Sequence, residues 1–196
     1  MGLFDTLKTI VTHKKIEKFL NENIDEAAKE FDEFDESEER HAKMTLKELS
    51  ELSDDELLEA VEDRADKNMD DFEAWEDWFN SLNPSQKAVY SVACFEEEAE
   101  DGGLCSFFIN FSQSAPFISD YMNIIGAFEH KNLFDDFISK SGIDLSDPSL
   151  FKNKNTKKLE KQLKGCPIDE YDSAFAELEP LKTFLVRYTK EHLADF

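Results

Sequence analysis

The stretch that decides the fold runs from Asn83 to Phe111, "NPSQKAVYSVACFEEEAEDGGLCSFFINF". Asn83-Pro84 supplies a helix N-cap and a first-turn proline whose φ already suits a helix. The spacing predicts a helix that runs through Tyr90 and Val92 into five carboxylates, Glu96, Glu97, Glu98, Glu100 and Asp101. Gly102-Gly103 then ends it, because glycine accepts the left-handed conformation of a helix C-terminus. The following "LCSFFINF" is too short to assign by periodicity.

Working outward, helix signals dominate. Leu3, Phe4, Leu7, Ile10, Val11, Phe19 and Leu20 recur at helical spacing. Ser53 to Glu56 reads as a capping box before Leu57, Leu58, Val61 and Ala65. Trp75, Trp78 and Phe79 fall on one helical stripe that belongs in a core. Further helices are expected at about 116–128, 133–140, 156–164 and 168–192, the last bending at Pro180. No segment alternates with period two and no solenoid period recurs. The chain reads as all-α: a single globular multi-helix domain over 82–196, preceded by an acidic helical N-terminal region, 1–81.

Composition narrows the function. The 196 residues include 18 Phe and are 40% hydrophobic, enough for a packed core, yet the formal net charge is −23. Such a charge repels phosphates and excludes direct nucleic-acid binding, so basic proteins or cations are the natural counterparts. Residues 1–103 hold 31 acids and 11 Lys/Arg, a net of −20, whereas residues 104–196 hold 14 and 11, a net of −3. The densest part, Glu22 to Glu39, has ten acids in eighteen residues. As a helix it would present roughly one charge per 2.7 Å of axis, against about 1.7 Å in duplex DNA. Neighbouring like charges at i,i+4 cost about 0.2–0.5 kcal/mol per pair, and a surface built only for solubility would intersperse lysines to relieve them.

Catalytic and metal motifs are missing. The acid run before Gly102 lacks the spacing of an EF-hand loop, and His13, His41, His130 and His192 form no HExxH pattern. There is no nucleophile elbow, and no Walker lysine follows the glycines. Cys94, Cys105 and Cys166 lack CxxC spacing and are expected as reduced thiols. No apolar run has the length of a membrane span and no signal-peptide core is present, so a soluble, cytoplasmic protein without cofactor or metal is expected. "MGLFDT" matches the myristoylation pattern before a helix carrying Lys8, Lys14, Lys15 and Lys18, but an ordinary packed helix is the favoured reading over a membrane anchor.

The central stretch, continued through "YMNIIGA", resembles the DNA mimic protein 19-like family over roughly residues 82–192. Gly102, Gly103, Phe107, Phe108 and Asn110 stand at the family's motif positions, with Ile125-Gly126-Ala127 downstream. Asp101 replaces the family's usual Asn and Ser106 its usual Gln; Ser106 reaches less far into the turn. The closing "YDSAFAELEPLKTFLVRYTKEH" is similar to the family's terminal helix. The resemblance implies an all-helical fold and a carboxylate surface laid out like duplex phosphates, which occupies the DNA-binding face of a transcription regulator. The glycines, phenylalanines and Asn110 are expected to be structural, the asparagine bonding backbone.

The expected activity is therefore non-enzymatic binding of a basic DNA-binding protein. Asp32, Glu33, Asp35, Glu36, Glu38 and Glu39 are the first candidates for contacts, and Glu96, Glu97, Glu98, Glu100 and Asp101 the second. A homodimer is compatible with this reading. An inhibitor of a basic nuclease, an unrecognised enzyme, or an acidic globule charged only for solubility are the alternatives.

Overall fold

A computed structural model describes residues 37–66, 69, 72–151 and 156–196. Every regular element among them is helical, as the sequence predicts. The chain divides into two compact units, Met1–Lys43 and Met44–Phe196. In the first, residues 37–43 form a helix (α1) in which exposed Glu39 pairs with Lys43 at 2.8 Å.

The second unit contains α2 (Leu46–Ser50), α3 (Asp54–Asp66), α4 (Trp75–Ser81), α5 (Pro84–Asn110), α6 (Ala115–Ile124) and α7 (Phe128–Ser141). It continues with α8 (Pro148–Phe151), α9 (Thr156–Leu163), α10 (Ile168–Ala176) and α11 (Leu181–Glu191). Local chemistry sets several starts. Thr45 with Glu48, Ser53 with Glu56 and Asn83 with Gln86 each satisfy exposed first-turn N–H groups reciprocally.

α5 is the hub, packing against α3, α6, α9, α10 and α11. The expected terminator at Gly102-Gly103 proves to be a break inside one long element, and "LCSFFINF" resumes the helix as far as Asn110. Gly103 has φ 71° and ψ −171°. This is a conformation essentially restricted to glycine, and it differs from the left-handed cap that the sequence suggests. The break re-phases the helix. From Phe95 to Leu104 is nine residues, about two and a half turns, so an unbroken helix would send them to opposite sides. Both are fully buried in the same core.

That core is an aromatic lattice. Phe95, Phe107, Phe108, Phe134 and Phe137 are inaccessible to solvent, and the Phe95 and Phe107 rings meet edge-on with centroids 4.9 Å apart. Each such burial contributes about 1.5–3 kcal/mol. Leu49, Leu57, Leu58 and Val61 of α2 and α3 join this core, ahead of the helices that carry the motif. Trp78 and Phe79 form a smaller cluster with Ala65, and the Trp78 indole donates to the Ala65 carbonyl at 3.0 Å. Trp75 packs against that cluster.

Three predicted helices differ in extent. The one expected over 116–128 is α6, which ends at Ile124, and α7 begins five residues earlier than the 133–140 stretch suggested. The long helix expected over 168–192 is two, α10 and α11, separated by 177–180. Pro180 cannot donate within a helix and stands just before α11.

Candidate functional site

The five acids before the glycines divide by role. Glu96 is partly buried, and one carboxylate oxygen accepts the Lys182 backbone N–H at 3.0 Å, capping α11. Burial raises its pKa, opposed by the α11 amides. Glu98 is tied across the break: it accepts from the Ser106 hydroxyl and, at 2.8 Å, from the Asn110 amide. Asn110 thus holds a side chain, where the sequence suggested backbone, and Ser106 is long enough to share the contact.

Glu97, Glu100 and Asp101 are exposed. Spacings of three and four place them on one face of α5. None forms an ion pair among the described residues, although lysines elsewhere find acids: Lys47 with Glu51, Lys131 with Asp135, Lys140 with Asp136, Lys182 with Asp55 and Lys190 with Asp54. The three charges span about 6 Å of helix axis, a density close to that of duplex phosphates.

α3 extends this surface, and the sequence reading did not single it out. Its exposed Asp54, Asp55, Glu56 and Glu59 lead to Glu62, whose carboxyl is raised to about 7 by burial first, then by Asp66, Glu97, Asp63 and Glu59. The influence of Glu97 on Glu62 brings the acids of α3 and α5 into one electrostatic field. Acids at exposed positions of an apolar-striped helix were the available signal. Only the fold joins them to α5.

Asp172 was also missed. Its Oδ1 accepts the Leu104 N–H at 2.9 Å and so caps the resumed half of α5 from 68 residues away. A Cβ on Gly103 would lie 2.2 Å from its other oxygen. Gly102 and Gly103 form the joint of α5, and the Phe107 and Phe108 rings are buried in the core.

Of the first-choice contacts, Asp32, Glu33, Asp35 and Glu36 lie outside the described residues, as does the "MGLFDT" segment. Glu38 and Glu39 lie on α1. Cys94, Cys105 and Cys166 are joined in no disulfide, and burial pushes the Cys94 thiol far up. No helix among the described residues is long and apolar enough to cross a membrane.

No curated protein and no solved structure matches the chain. A family does: the profile described as DMP19-like protein matches residues 80–192, which include the broken α5, the buried Phe95, Phe107, Phe108, Phe134 and Phe137, the Ile125-Gly126-Ala127 turn and all of α11. With more than half of its length inside that profile, the chain belongs to the DMP19-like protein family.

Proposed function

We propose that this protein is a DNA mimic: a non-enzymatic acidic protein whose carboxylates occupy the DNA-binding surface of a basic partner such as a transcription regulator. The observation that carries the reading is the unpaired row Glu97, Glu100 and Asp101 on α5. In a chain of net charge −23, lysines form ion pairs with acids on α3 and α7, and none with this row among the described residues. Solubility alone gives no reason for that distribution. Lys and Arg that normally neutralise phosphates would pair with these carboxylates, and shed counterions would favour the complex.

The acidic segment 22–39 adds charge on this reading, and Asp32, Glu33, Asp35, Glu36, Glu38 and Glu39 remain proposed contacts. Glu96 and Glu98 drop to supporting roles, because one oxygen of each is engaged within the fold. An enzymatic role finds little support. Burial lowers the pKa of His130, the buried histidine of the second unit, and the nearby Asp172 and Glu96 each give an oxygen to a backbone amide.

The test is affinity capture of basic proteins at low salt, followed by elution with duplex DNA. A DNA mimic releases its partner to duplex DNA at constant ionic strength. Retention of the partner under excess duplex rejects the reading.

A further inference from the structure

α5, α10 and the start of α11 flank a cleft of about 360 Å³ that the acidic row borders through Glu100 alone. Phe95, Ala99 and Phe175 give it apolar walls, and Glu96, Glu100 and Asp172 stand around them. Glu96 and Glu100 are one helical turn apart on α5 and point the same way. Glu96 and Asp172 each have an oxygen engaged by a backbone amide, whereas Glu100 is exposed and forms no ion pair among the described residues. The cation nearest these acids, Lys182, is bound by Asp55 at 2.5 Å. Three carboxylates therefore surround the cleft, against one lysine already shared with a fourth.

His130 forms part of the wall. It is 4% exposed, burial lowers its pKa, and its Nδ1 has no hydrogen-bond partner among the described residues. Apart from that imidazole, the side chains lining the cleft are apolar or acidic, with apolar surface beside the acids. A ligand with an apolar stem and a cationic head has the complementary chemistry. The volume is at the lower end of ligand cavities and suits one long side chain.

We propose that this cleft receives an arginine side chain of the basic partner. The inference rests on the mimic reading and adds to it a shaped anchor beside the charged row. Arginine suits the site better than lysine. Its guanidinium stacks on aromatic faces such as Phe175 and gives a carboxylate such as Glu100 two parallel N–H donors. Anchors of this kind, seated in pockets and shielded from water, carry a large share of interface energy.

Capped arginine (N-acetyl-arginine methylamide) and its uncharged isostere, capped citrulline, are the probes, with amide chemical shifts of the full chain as the readout. Arginine is expected to shift the amides of Ala99, Ala176 and Leu178, and citrulline to leave them in place. Ala176→Trp fills the cleft from an exposed position. It should abolish those shifts with an unchanged melting temperature. Glu100→Gln should weaken binding of the arginine probe several-fold. Equal shifts from citrulline, or arginine shifts confined to the acids of α3 with the cleft silent, overturn the proposal. The two readings fail separately. Release by duplex DNA tests the mimic and leaves the cleft aside, whereas the arginine probe reports on the cleft whether or not any partner binds DNA.

Discussion

The two halves of α5 share a backbone and meet opposite surroundings. Before Gly102, the helix sends Glu97, Glu100 and Asp101 to solvent; after Gly103, it sends Phe107 and Phe108 into the middle of the core. In a continuous helix Leu104 would face away from Phe95, and one of the two apolar faces would lie in water. The glycine joint rotates the second half so that both apolar faces enter one core. The carboxylates lie before the joint on the side of the first half away from Phe95, so that half's own register keeps them in solvent while the joint completes the core.

The largest effect should come from the joint itself. Gly103→Val forces a β-branched residue into a glycine-only conformation and drives its Cβ onto the Asp172 carboxylate, 2.2 Å away. A loss of about 3–5 kcal/mol is expected, read as a fall in thermal midpoint of roughly 10 °C or more. Gly142 provides the control: it also has positive φ, 67°, but nothing lies within 4 Å of an added Cβ. Gly142→Ala should cost only about 1–2 kcal/mol. Equal melting of the two variants would remove the joint from the account.

Core against surface is the next contrast. Phe107→Ala should lose about 3–5 kcal/mol in denaturant titration, whereas Glu97→Gln, on the exposed face of the same helix, should stay within about 0.5 kcal/mol.

Glu62 sharpens the comparison at the edge of the acidic field. Its folded pKa is raised from 4.5 to about 7, so the folded state holds that proton more tightly than the unfolded chain does. Its contribution is therefore intact below pH 4.5 and is lost as pH rises through 7, by up to about 3 kcal/mol. Glu62→Gln should flatten the stability–pH curve in that window and stabilise the protein at pH 8. A variant whose curve parallels that of the parent would contradict the burial of this carboxyl.

Much of this was legible in the chain. The capping box at Ser53 and the N-cap at Asn83 rest on contacts within four residues and are visible in local sequence, whereas the part of Gln86 in the second comes from the structure. The Gly-Gly pair announces a special backbone, but its role as a joint depends on where Phe95 and Leu104 end up, which is a tertiary fact. Asp172 acts from 68 residues away on Leu104, beyond any local pattern. The sorting of the acid run was hidden for the same reason: Glu96 and Glu98 look like their neighbours until the start of α11 and the second half of α5 arrive to bond them.

The smallest effect on stability should have the greatest effect on binding. Replacing Glu97, Glu100 and Asp101 by their amides keeps shape and removes three negative charges, and a second variant does the same at Asp32, Glu33, Asp35 and Glu36. Melting should barely change for the first set, while the salt dependence of partner binding becomes shallower for both.

The most direct test of mimicry is reciprocal displacement, measured by the anisotropy of a labelled duplex bound to an isolated basic partner. The account predicts that this protein releases the duplex completely, that excess duplex releases the protein, and that the amide variants do so at higher concentration. A stable ternary complex of partner, duplex and protein would contradict it.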